Sequence, residues 1–131
     1  MIVADASAII EMLLRTEAGS AVEARLFRRT ETIHAPALVD LEVAHVLRRF
    51  VARGEMTPAR ADASIHVMIG LPIERHTHEP LLPRIWELRD NFTAYDAAYV
   101  ALAEGLRAPL LTCDARLAGA PGTRAVFELI D

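Results

Sequence analysis

Four acidic residues of this chain, Asp5, Glu42, Asp96 and Asp114, lie in settings where a carboxylate could be gathered with others to bind a cation. Asp5 follows the apolar run Ile2-Val3-Ala4 and precedes Ala-Ser-Ala-Ile-Ile-Glu-Met-Leu-Leu, which has helical spacing. Asp114 follows Pro109-Leu-Leu-Thr-Cys113 and precedes a short helical turn. Each therefore stands at the carboxyl end of a short apolar strand and just before a helix, the edge at which open α/β sheets bind ligands. If the two strands are neighbours, a spacing of ~4.8 Å holds both carboxylates close together. Two such anions raise each other's pKa unless a cation neutralises them. Each is also explained simply as a helix N-cap, a position that suits Asp.

Glu42 belongs to a helix whose buried stripe is Val39, Val43, Val46, Leu47 and Phe50, and it lies at the margin of that stripe. It can turn toward the top of the sheet, or pair on the surface with His45 or Arg49. Asp40 is on a different face and forms no pair with it. Asp96 fits a capping box with Thr93, yet it opens Ala97-Ala-Tyr99-Val-Ala-Leu-Ala, a helix so apolar that it must be packed closely. An acid at such an entrance needs a partner. Taken together, the four acids are the oxygen ligands that Mg2+ or Mn2+ prefers. Two such ions ~3.5 to 4 Å apart can activate water and stabilise the leaving oxygen of a phosphodiester.

The elements that must position these acids can be read from pattern. Strands are expected at 2–4, Ile33–Ala35, 72–75, 109–113 and 126–130. Helices are expected after Asp5, at 20–29, from Pro36 as the first helical residue to about Arg53 with Gly54 as its stop, from Thr57-Pro58 to about Ile69, at 81–89, and from Thr93 to about Leu106. Apolar strands alternating with helices predict a three-layer α/β/α domain, its short, mainly parallel central sheet covered by helices. The 131 residues have room for one domain.

Hydrophobic residues are 53% of the chain and charged residues 24%, which excludes a disordered protein. No segment approaches the ~18 uncharged apolar residues of a membrane span, so a cytoplasmic protein with no membrane partner is expected. The lone Cys113 has no cysteine partner for a disulfide or a thiolate zinc site. The five histidines, His34, His45, His66, His76 and His78, show no metal-ligand spacing, and His76 and His78 are expected in a solvated loop. The net charge of −4 opposes nucleic-acid binding unless the acids are neutralised by cations. All 14 basic residues are arginine. Without lysine, phosphoacceptor domains and aspartate-nucleophile phosphatases are disfavoured, and Ser7 stands where the latter carry a second Asp. Arg49 and Arg53 follow Glu42 by seven and eleven residues on nearly the same helical face and could hold phosphates, although a solvated face explains them too. Arg28-Arg29 and Arg48 have weaker claims. Trp86, Tyr95 and Tyr99 are expected in the core or an interface.

Four ordered segments carry a family resemblance: Val-Ala-Asp5-Ala-Ser7-Ala; Leu41-Glu42-Val-Ala; Asn91-Phe-Thr93-Ala-Tyr-Asp96-Ala-Ala-Tyr99-Val-Ala-Leu-Ala; and Leu111-Thr112-Cys-Asp114-Ala-Arg-Leu. Together they resemble the motifs of PIN-domain proteins over essentially the whole chain, 1–131 as one PIN domain, and are most similar to VapC toxins of toxin–antitoxin pairs. The resemblance implies a Mg2+- or Mn2+-dependent endoribonuclease that cuts structured RNA such as tRNA or rRNA and leaves a 5′ phosphate. It implies Asp5, Glu42, Asp96 and Asp114 as the metal-binding and catalytic quartet, and Ser7 and Thr112 as supporting hydroxyls. It further implies a homodimer, for which apolar residues near 10–14 and 43–50 would be surfaces, and a VapB-like antitoxin. A non-catalytic PIN-like RNA-binding or assembly module is the alternative, distinguished by the absence of metal-dependent cleavage.

Overall fold

A computed structural model describes residues 1–28 and 30–131. Five short strands, β1 (Ile2–Ala4), β2 (Ile33–Pro36), β3 (Ile73–His76), β4 (Leu110–Thr112) and β5 (Phe127–Leu129), form one sheet in the order β3-β2-β1-β4-β5, with every pairing parallel. The three middle strands are buried throughout, which fits their mainly apolar sequences, and the polar His34 of β2 and Thr112 of β4 are buried with hydrogen-bond partners.

Among the described residues, seven α-helices join them: α1 (Ala6–Leu13), α2 (Glu17–Leu26), α3 (Val39–Ala52), α4 (Pro58–Gly70), α5 (Leu82–Glu87), α6 (Ala94–Leu106) and α7 (Ala115–Ala118). Helices α1 to α4 pack among themselves on one face, and α5 with α6 on the other. This division follows from strand order, since right-handed crossovers that run from β1 to β2 to β3 and then return to β4 must change face. The reversal falls between β1 and β4, and at such a reversal open α/β sheets bind ligands beyond the carboxyl ends of the strands. Asp5 and Asp114 follow those two strands.

The longest unbroken run of buried residues among those described belongs to α6, where Ala97 to Ala103 are all buried. Alanines let this helix lie close to β1, β2 and β4, and each larger side chain among them contributes roughly 1.5–3 kcal/mol on burial. The stripe Val39, Val43 and Leu47 seats α3 as expected. Thr16, Thr57 and Thr93 cap α2, α4 and α6, and Gly54 ends α3 with φ 71°. In the first turn of α2, a Cβ on Gly19 would meet the Glu11 carbonyl oxygen at 2.0 Å, so only glycine permits this approach to α1.

Three expectations require correction. Helix α2 begins at Glu17, because Thr16 caps it by accepting from the Gly19 N–H, and it ends at Leu26; Arg29, the expected terminus, is outside the described residues. Pro36 closes β2 opposite His76, and α3 starts only at Val39. The expected apolar surfaces near 10–14 and 43–50 are largely buried or packed on the core, whereas Leu41, Trp86 and Tyr95 are exposed. Of Trp86, Tyr95 and Tyr99, only Tyr99 is a core residue.

Glu104 near the end of α6 ties α5 and the β5 approach to the fold. It accepts from Arg84 Nε and Nη2 at 2.7 and 3.0 Å, from Thr123 Oγ1 and from the Arg124 N–H. The Arg84 hydrogen bonds hold its pKa down at about 2. A depressed carboxylate stabilises the fold above its unfolded pKa and loses that contribution as pH falls through the folded value. Glu104→Gln should therefore lower stability by roughly 2–3 kcal/mol at pH 7. In urea melts the difference from the parent should shrink as pH falls from 4.5 toward 2.

Candidate metal centre

Asp5 leaves β1 beside Thr112 of β4, since Ala4 pairs with Leu111 and the Asp5 N–H donates to the Leu111 carbonyl at 3.1 Å. Its buried carboxylate accepts on Oδ1 from Ser7 Oγ at 2.6 Å and the Ala8 N–H at 3.0 Å, and on Oδ2 from Thr112 Oγ1 at 2.6 Å. The cap reading of Asp5 is thus realised, and its second oxygen meets Thr112 of the neighbouring strand. Ser7 Oγ also accepts from the Cys113 N–H, and Thr112 Oγ1 from the Asp114 N–H, both at 2.9 Å. The two hydroxyls expected to support the acids join the β1–α1 and β4–α7 junctions.

Asp114 caps α7 through Oδ1, which accepts from the Arg116 and Leu117 N–H groups. Asp96 receives only half of the expected capping box. Its N–H donates to Thr93 Oγ1, but its carboxylate turns to Arg116. The exposed Arg116 guanidinium places Nη2 at 3.2 Å from Asp96 Oδ2 and 3.2 Å from Asp114 Oδ2. Glu42 is half-buried, and its Oε1 accepts from the Tyr99 hydroxyl at 2.5 Å. Tyr99 lies three residues beyond Asp96 on the same face of α6, so this helix delivers one acid and orients another.

Burial is the dominant influence on the pKa values here. It raises Asp5 above the ordinary carboxylate range, against the lowering by Ser7, Thr112 and Ala8, and the charge of Asp114 adds to the rise. Burial likewise raises Glu42, opposed by the Tyr99 hydrogen bond and reinforced by the charges of Asp96 and Asp5. Burial, with the Glu42 charge, pushes Tyr99 far above the usual phenol range, so it remains a donor. Cys113 is pushed up to about 11 by burial and by the charges of Asp5 and Glu11. It remains a thiol.

No three of the four acids have oxygens within 4.8 Å of one another. The Arg116 nitrogen stands between Asp96 and Asp114, where it does a cation's work. Its side chain is 73% exposed. Oxygen ligands, desolvation and mutual repulsion all fit Mg2+ or Mn2+. An open groove of about 520 Å³ is lined by Leu38, Leu41, Glu42, His45 and Tyr95, and of the four acids only Glu42 touches it. Arg49 and Arg53 are exposed further along α3 and have no ion-pair partner among the described residues. A larger cavity of about 750 Å³ at the carboxyl end of α6 touches none of the four acids.

Residues 2–122 match the PIN domain family. The chain belongs to that family. Within it the chain is VapC-like: it is 45% identical over 130 residues to Ribonuclease VapC12 of Mycobacterium tuberculosis, covering 99% of each chain. Among solved structures it is similar to PAE2754 from Pyrobaculum aerophilum, with TM-score 0.74, 20% identity, and 96% and 81% of the two chains covered. It is also similar to VapBC2 from Rickettsia felis, a structure that contains a DNA fragment from their promoter, with TM-score 0.73, 13% identity and full coverage of both chains. These two likenesses show the PIN fold alone.

The histidines differ from expectation. His76 lies in β3, not in a loop, and with Glu74 and the buried His34 of β2 it forms a cluster that could hold a divalent metal. Burial lowers the pKa of His34. His78 is half-buried and accepts from the Leu38 N–H at 3.0 Å. Strand pairing brought these residues together, and single-chain spacing carried no sign of it. Arg116 and the orienting role of Tyr99 were also missed, although each stands within one helical turn of an acid.

An acid whose folded pKa is raised costs stability above that pKa, and the cost fades as pH falls toward the unfolded value. Asp5→Asn should therefore raise the Tm of metal-free protein at pH 7, roughly 3–6 °C for each kcal/mol recovered. The gain should diminish toward pH 4, and Mg2+ should stabilise only the parent. Thermal melts at several pH values, with and without Mg2+, check this.

Proposed function

We propose that this PIN-domain chain, 1–131 as one domain, is a Mg2+- or Mn2+-dependent endoribonuclease and the toxin of a type II toxin–antitoxin pair. Asp5, Glu42, Asp96 and Asp114 form its centre. The observation that carries this reading is the nearness of four carboxylates beyond β1 and β4, where the charge of Asp114 acts on Asp5, those of Asp96 and Asp5 act on Glu42, and Arg116 bridges Asp96 and Asp114. The name of the 45% identical relative, Ribonuclease VapC12, supports RNA as the substrate.

When bound, the divalent ion supplies positive charge that polarises water and a phosphate oxygen. The chain's own residues do the rest. Asp5 is fixed by Ser7, Thr112 and the Ala8 N–H, so it keeps its geometry as a ligand. Tyr99 holds Glu42 Oε1 and leaves Oε2 as ligand or proton acceptor for the attacking water. Arg116, displaced from Asp96 and Asp114, remains tethered beside the centre to meet a phosphate, while Arg49 and Arg53 hold the strand along α3. Water oxygen bonds to phosphorus, the 3′ oxygen leaves with a proton, and the new end carries a 5′ phosphate.

The VapBC2 structure supports a VapB-like antitoxin as partner. Exposed Leu41 and Tyr95 beside the groove support cover by that partner or by a second copy in a homodimer.

Purified chain incubated with total cellular RNA and Mg2+ or Mn2+ should produce discrete cuts with 5′ phosphate ends. EDTA should abolish them, and Asp96→Asn should reduce the rate at least 100-fold. No cutting by folded, antitoxin-free protein would support the binding-module alternative.

A further inference from the structure

A second group of metal-ligating side chains lies away from the four acids, on the outer pair of strands. His34 of β2 faces Glu74 across the parallel ladder, and Pro36 faces His76, so His34, Glu74 and His76 project from the same side of the sheet. Arg75, between the latter two, points to the opposite side and pairs with Asp40 of α3 at 2.7 Å. The three side chains converge: His34 Nδ1 is 2.9 Å from His76 Nε2 and 3.5 Å from the Glu74 carboxylate, with one ligand atom from each residue inside a 4.8 Å limit.

The surroundings suit an ion. His34 is 5% exposed and cannot turn away, and its other ring nitrogen, Nε2, lies 2.7 Å from Thr32 Oγ1. A hydroxyl that accepts the Nε2 proton directs the Nδ1 lone pair at the cluster, the arrangement found behind metal-bound imidazoles. The ligands of a tetrahedral ion with bonds of ~2.0–2.1 Å are ~3.3–3.4 Å apart. The His34–Glu74 separation already matches that spacing. The His34–His76 separation must open by only a few tenths of an ångström, and His76 is half-exposed. Glu74 is 65% exposed and provides the way in.

We propose that His34, Glu74 and His76 form a second metal site, selective for zinc-class divalent ions rather than Mg2+, with a fourth position open to water. Two imidazoles and one carboxylate favour Zn2+, Co2+ or Ni2+, whereas Mg2+ selects oxygen ligands. The ion ties the edge strand β3 to β2. It also steadies the entry to α3, because the His76 carbonyl accepts from the Ala37 N–H at 2.8 Å and α3 begins two residues later and carries Glu42. The proposal does not depend on the nuclease reading.

The test is titration of the metal-free full chain with Zn2+ and Co2+ in excess Mg2+, followed by calorimetry, the visible absorption of tetrahedral cobalt, and thermal melting. One equivalent should bind despite the Mg2+, raise the Tm, and give the tetrahedral cobalt spectrum. Asp96→Asn should bind it unchanged. His76→Ala and Glu74→Gln, at sites exposed enough to spare the fold, should each weaken binding at least tenfold, with circular dichroism confirming that both remain folded. Binding abolished by Mg2+, or unaltered in folded His76→Ala, would overturn the proposal.

Discussion

The hydroxyl of Thr112 holds the centre of this protein together. It donates to Asp5 at the end of β1 and accepts from the Asp114 N–H at the end of β4, so one buried oxygen sets the spacing of two strand ends. Ser7 repeats the stitch from the other side, donating to Asp5 and accepting from the Cys113 N–H. A carboxylate buried as deeply as Asp5 is costly unless its oxygens are satisfied. Here three donors satisfy it and still leave its pKa raised. The junction thus keeps an anion in a place that burial opposes, which is the condition under which a bound cation contributes most.

The rest of the fold serves that junction. The change of face between β1 and β4 falls at the junction, and the alanine-rich α6 packs over β1, β2 and β4 and brings Asp96 within reach of Arg116 beside Asp114. Tyr99, from the interior of the same helix, reaches Glu42 on α3 and so connects the two helical layers across the end of the sheet. Arg116 then balances the remaining charge from the surface. Arginines stand exposed along α3 and α7, at Arg49, Arg53 and Arg116.

Much of this was legible in the sequence because it depends on local pattern. Ile-Val-Ala before Asp5 and Leu-Leu-Thr before Asp114 are too apolar for anything but buried strands, and both acids then fall at strand ends. Thr93 and the alanine run defined α6, and the four acid-bearing segments were sufficient to suggest the family. What was not legible depends on register and on side-chain direction. Pairing of β2 with β3 gathers His34, Glu74 and His76 from positions about forty residues apart. Pro36 suited a helix start equally well, and only its partnership with His76 decides for the strand. Thr16 outweighed Gly19 and Ser20 in setting the start of α2, because a cap satisfies backbone donors that a later start would leave open.

The central claim is that the four acids are a cation site. Its most direct test is Mn2+ titration monitored by the electron paramagnetic resonance signal of the free ion, on the parent chain, Asp96→Asn and His76→Ala. The account predicts that the parent and His76→Ala remove Mn2+ from solution alike, while Asp96→Asn binds at least tenfold more weakly. Equal binding by the parent and Asp96→Asn, or loss of binding in His76→Ala alone, would contradict it.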